Sequence, residues 1–118
     1  MNNYRELIVW QKSISIVEKV YTLTSSFPDE EKYGLTGQIR RSSVSIASNI
    51  AEGAGRNSKK EFRNFLGMAN GSLNEMNTQL EISKRLGLIN EIEFKSILKQ
   101  SDEIQKMIYT LIKKFSQI

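Results

Sequence analysis

The chain has 118 residues, enough for one domain with a single core, and contains neither cysteine nor histidine. The missing cysteines exclude a disulfide framework and a zinc-thiolate site, and the missing histidines remove the usual neutral-pH base and the commonest metal ligand. The formal net charge is +4 and there is one proline, which suits a helical chain because proline is costly inside helices. The first residues carry Arg5 and Glu6 with no adjoining apolar core of a signal peptide. No apolar run approaches the roughly 20 residues needed to span a bilayer. The expectation is a cytoplasmic protein, folded as one domain over residues 1–118.

The first predicted helix runs from about Tyr4 to Thr24, with Leu7, Trp10, Ile14, Val17 and Tyr21 recurring at 3–4 spacing as a core seam. Trp10 lies in register with that seam, so it reads as a core anchor in preference to a stacking platform. Thr24-Ser25-Ser26 and Phe27-Pro28 break the pattern. Pro28 suits the first position of a short helical turn over 28–33, with Asp29, Glu30 and Glu31 at its positive end. The second helix spans about Leu35 to Ala54 and stops at Gly53-Ala54-Gly55. Ser58-Lys59-Lys60-Glu61 is a capping box that starts the third helix. Its seam is Phe62, Leu66, Ala69, Leu73, Met76 and Leu80, and it ends near residue 87. Asn90 with Glu93 repeats the capping signature for the fourth helix. The seam there is Phe94, Ile97, Ser101, Ile104, Ile108, Leu111 and Phe115. Four helices joined by short turns predict an all-α, antiparallel up-down-up-down four-helix bundle.

The second helix carries three different faces. Leu35, Ile39, Ile46 and Ile50 form a core stripe. Val44, Ala47 and Ala51, with Arg40, make a second side of mostly small residues. Gln38, Arg41, Ser45, Asn49, Glu52 and Arg56 form a polar stripe along its length. A merely solvated stripe would more naturally carry lysine and glutamate, because serine and asparagine are mediocre helix formers. The stripe therefore reads as a polar network at an oligomer interface, which Ser72 and Glu75 of the third helix are placed to join. Gly67 and Gly71 also point away from the core seam, each costing about 1 kcal/mol relative to alanine inside a helix. Close approach of a second subunit would explain them.

The run Q-I-R-R-S-S-V-S-I-A-S-N-I-A-E-G-A-G-R, with S-K-K-E-F and A-N-G-S-L-N-E after it, resembles the signature of the bacterial family of 23S rRNA intervening-sequence proteins. The opening L-I-V-W-Q-K-S and the segment F-P-D-E-E-K-Y-G-L extend the likeness to nearly the whole chain. Members are similar to the accessory variability protein of diversity-generating retroelements. The resemblance implies a four-helix bundle that assembles as a homopentamer and binds nucleic acid.

Charge is unevenly spread: residues 1–32 carry a net −1, residues 33–64 a net +4 and residues 65–118 a net +1. The surplus sits around the second turn, at Arg56, Lys59, Lys60 and Arg63, with Arg40 further back. Such groups neutralise phosphates, and a ring of subunits multiplies them. The aromatics within that cluster are Phe62 and Phe65, and Phe62 belongs to the core, so base stacking there has little support. An active site would have to use Glu52, Glu75 or a lysine as its base, at no recognisable spacing. A carboxylate metal site in a bundle usually needs Glu-x-x-His. The expectation is thus no enzyme, no metal and no cofactor. Two functions remain open: a homo-oligomer that binds structured RNA or DNA, and a structural adaptor for another protein such as a reverse transcriptase.

Overall fold

A computed structural model describes residues 3–116 and gives four α-helices: α1 (Ile8–Thr24), α2 (Leu35–Ala54), α3 (Lys59–Arg85) and α4 (Glu91–Ser116). Short 3₁₀ turns at Tyr4–Glu6 and Asp29–Glu31 precede α1 and α2. The first helix starts later than predicted, at Ile8 and not at Tyr4, because Leu7 is extended and separates it from the Tyr4–Glu6 turn. The other predicted starts, and the close of α3 within two residues of position 87, hold because they have their own chemistry. Ser58 Oγ accepts from the Glu61 N–H at 3.1 Å to begin α3. At α4 the exchange is reciprocal, with the Glu93 N–H on Asn90 Oδ1 at 2.7 Å and the Asn90 N–H on Glu93 Oε1 at 3.0 Å. Between them, Gly87 takes φ +77° and closes α3 with bonds from Gly87 N to Lys84 O and from Leu88 N to Ser83 O.

Contacts between neighbouring helices pair residues in reverse order, as antiparallel packing requires. Lys12 meets Glu103 and Lys19 meets Ser96 between α1 and α4. Ser101 meets Asn77, Gln105 meets Asn74 and Asn70, and Phe115 meets Arg63 between α4 and α3. Ser42 of α2 meets Gln79 of α3, and Arg56, just past the end of α2, meets Phe65 of α3. The core is the row Val9, Ile16 and Val20 of α1 with Ile39, Ile46 and Ile50 of α2, the whole predicted α3 seam, and Phe94, Ile97, Ile104 and Ile108 of α4. Each such side chain contributes about 1.5–3 kcal/mol by leaving water. Gly53 lets α2 and α3 close at their shared turn, since a Cβ there would lie 2.7 Å from Phe65 Cβ.

One expectation needs correcting. The core row of α1 is Val9, Ser13, Ile16, Val20 and Thr24, turned about 100° from the predicted seam. Ile14 is 36% exposed and Tyr21 44%, while Leu7, Trp10 and Val17 are half-buried. The predicted seam holds the largest side chains, yet the core prefers the row that includes a serine and a threonine. Their hydroxyls are satisfied inside the helix: Ser13 Oγ donates to Val9 O and Thr24 Oγ1 to Val20 O, each at 2.8 Å. With those bonds made, both side chains are small enough to let helices approach. At the outer end of the α4 seam, Leu111 and Phe115 are likewise only half-buried.

Candidate nucleic-acid interface

The bundle is a rod of 48 × 23 × 20 Å, and its topology gathers remote parts of the chain at each end. The start of α1, the α2–α3 turn and the close of α4 share one end, fixed by the Arg63–Phe115 bond and by packing of the Tyr4–Glu6 turn on α2. That end collects Arg5, Arg56, Lys59, Lys60, Lys113 and Lys114 against Glu6, Glu52 and Glu61. The opposite end holds Asp29, Glu30, Glu31, Glu81, Glu91 and Glu93 with Lys32, Lys84, Arg85 and Lys95. The rod is therefore polarised along its length. The ends lie several screening lengths apart at physiological salt, so each presents its own field.

The predicted binding residues divide by what they touch. Lys59 and Lys60 open α3, are exposed, and make no ion pair among the described residues. They sit beside the uncapped N–H groups and positive dipole of that helix. Arg56 is held by Glu52 at 3.0 Å and lies 4.9 Å over the Phe65 ring. Arg63 donates to Phe115 O at 2.9 Å and so caps the negative end of α4. Arg40 is not part of this cluster. It sits on α2 fourteen residues before Ala54, roughly 21 Å along the helix from the turn that carries Arg56, and is spent on α1. There its Nε donates to Thr24 Oγ1 at 2.9 Å and its guanidinium covers Tyr21 at 4.4 Å. Sequence reasoning missed Arg5, Lys113 and Lys114, because nothing local says that the first and last turns of the chain meet the second loop.

The predicted interface residues lie on the outside. Gln38, Arg41 and Glu52 are exposed, and Ser45 and Asn49 are half-buried with Asn49 Nδ2 donating to Ser45 O at 2.9 Å. Arg41 and Glu52 do not pair with each other: eleven residues along one helix put them roughly 16 Å apart. Ser72 is half-buried and Glu75 exposed. Around Gly67 and Gly71 a Cβ would meet nothing within 4 Å beyond the helix's own nearby backbone, so no contact among the described residues requires glycine at either position. Met68, between them, is 55% exposed. A family model described as 23S rRNA-intervening sequence protein matches residues 5–110.

The chain belongs to that family. A crystal structure of a protein of unknown function from the S23 ribosomal protein family of Bacteroides thetaiotaomicron is similar to it, with TM-score 0.83 and 32% sequence identity. The match covers 90% of this chain and 99% of the other. No curated protein matches the chain. The structural likeness accords with the four-helix fold, and the neighbour is itself described as a protein of unknown function. No helix among the described residues is long and apolar enough to cross a membrane.

Proposed function

We propose that this 23S rRNA-intervening sequence protein is a non-enzymatic, cytoplasmic homo-oligomer that binds structured nucleic acid through the basic end of its bundle. The observation that carries the reading is the convergence of lysines and arginines from three remote segments on one end of a polarised rod. One copy offers few phosphate contacts, and an oligomer that aligns its basic ends multiplies them. The outward Gly67/Gly71 face and the small polar stripe of α2 support self-assembly, and five subunits is the number the family resemblance implies.

The test uses labelled structured RNA and duplex DNA, titrated at two salt concentrations with the wild-type chain and a Lys59→Ala/Lys60→Ala/Lys113→Ala/Lys114→Ala variant. Arg63 is left intact because it caps α4. Binding to unrelated sequences should weaken about equally, and the salt slope should flatten by up to about one per engaged lysine removed. Equal affinity of the two proteins would move the interface elsewhere. No binding by the wild type at low salt would favour an adaptor for another protein, such as a reverse transcriptase.

A further inference from the structure

We propose that the open cleft between α1 and α2 receives one unpaired nucleobase of the bound nucleic acid, while the neighbouring phosphates lie on the basic end. The inference rests on the nucleic-acid reading above and adds a ligand to a part of the surface that reading does not use. The cleft encloses about 250 Å³ and is walled by Tyr4, Trp10, Ile14, Val17, Val44 and Ser48. It exists because α1 turns its Val9–Val20 row to the core and leaves its bulkiest row half outside. Facing that row, α2 presents small residues, so the space between the helices stays unfilled. Val44 is 41% exposed for the same reason.

The chemistry of the walls fits a base better than an aliphatic guest. Tyr4 and Trp10 stand edge to face with centroids 5.1 Å apart, an arrangement that leaves aromatic surface open to a third ring. The Arg5 guanidinium sits 5.5 Å over the Tyr4 ring, so a cation for the adjoining phosphate is built beside the aromatic shelf. Trp10 and Ser48 both line this space, and neither the Trp10 indole N–H nor the Ser48 hydroxyl makes a hydrogen bond among the described residues. Unpaired bases are recognised in this way, by stacking on aromatic side chains with hydrogen bonds to the base edge. A larger cleft of about 460 Å³ between the start of α1 and α4 lacks these features: among the described residues no aromatic lines it, and Glu6 and Lys106 are its charged members.

Trp10 is the chain's single tryptophan, so its emission reports the cleft directly. The full chain is titrated with a labelled RNA hairpin bearing an unpaired loop, and with a blunt RNA duplex of the same stem, following label anisotropy and Trp10 emission together. The loop should quench Trp10 with the same midpoint as the anisotropy, and the duplex should bind without quenching. Ser48→Phe fills the cleft from an exposed position and keeps Trp10. It should weaken hairpin binding roughly 5- to 100-fold and leave duplex binding unchanged. Saturating hairpin anisotropy with constant Trp10 emission overturns the base site and leaves the nucleic-acid function standing. Trp10 emission that changes on dilution without RNA also overturns it, because a second copy then covers the cleft. If neither RNA binds, the function and the base site fall together. The wild-type emission decides the matter even if Ser48→Phe folds poorly.

Discussion

Replacing Gly67 and Gly71 by alanine separates the needs of the single chain from those of its assembly. Among the described residues, nothing beyond the helix's own nearby backbone lies within 4 Å of either added Cβ, so the substitution meets no obstacle there. Each change removes the entropic penalty of a mid-helix glycine, about 1 kcal/mol, so the pair should stabilise the isolated bundle by about 2 kcal/mol. With an unfolding entropy of roughly 2.1 cal/mol/K per residue over this length, that is a rise of about 8 °C in Tm. If another subunit's helix lies against this face, the two methyl groups instead hold the backbones apart, and the assembly weakens while the chain remains helical. Light scattering at micromolar concentration should therefore give several times the 13.5 kDa chain mass for wild type and a smaller species for the double variant. A higher Tm with undiminished oligomer mass would refute the interface reading of these glycines. A monomeric wild type would refute self-assembly altogether.

At Gly53 the same substitution should act in the opposite sense. An alanine Cβ would meet Phe65 Cβ at 2.7 Å and Phe62 Cδ1 at 3.0 Å, so Gly53→Ala should cost roughly 1–3 kcal/mol in a denaturant melt, and a neutral result would mean that the turn relaxes freely. Ser42→Ala should cost about 1–3 kcal/mol by leaving the Gln79 amide oxygen, now 2.7 Å from the hydroxyl, without its buried donor. Adding Gln79→Leu should recover part of that loss, and additive costs in the double-mutant cycle would dissolve the pair. Arg41→Ala should dissociate the oligomer while helical content by circular dichroism persists, at a cost of roughly 3–5 kcal/mol if a subunit contact buries it; an intact assembly would return the α2 stripe to solvent. The hydrogen bond and charge of Lys12, 2.6 Å away, hold the Glu103 carboxyl below its ordinary value of 4.5. The small stabilisation from this exposed pair is present above pH 4.5 and lost as pH falls through the lowered value. An NMR titration should find the Glu103 carboxyl back near its ordinary value in Lys12→Ala, and an unchanged titration would deny the pairing.

The bundle was legible because its signals are local and redundant. Ser58 and Asn90 mark helix starts through bonds to residues three positions on, Gly87 marks a stop through its own φ, and the α3 seam alternates steps of four and three without a break from Phe62 to Leu80. The facing of α1 was not legible, because two apolar rows run along it and size argued for the wrong one. The deciding facts lie on other helices. Ser13 and Thr24 are buried because α1 must approach its neighbours closely, and Trp10 stays half outside because α2 offers small residues opposite it. Periodicity reports that a helix has an apolar side, and only the partners determine which of two such sides is covered.

Charge was legible in amount and incomplete in place. The surplus around the second turn is written within one short stretch, residues 56–63, so Lys59 and Lys60 could be found from the sequence. Arg40 could not be withdrawn from the candidates without its partners, since only the fold brings Thr24 and Tyr21 to its guanidinium. Arg63 shows a further complication: the charge is at the basic end, but the same side chain ties α3 to the last turn of α4. An alanine there would lower both the positive field and the order of the helix end that carries Lys113 and Lys114. A loss of binding in Arg63→Ala would therefore not say which of the two effects caused it. The four lysines are exposed and make no ion pair among the described residues, and beyond the modest dipole complement of Lys113 and Lys114 at the end of α4 their removal changes mainly the field, so they are the residues on which the binding test should rest.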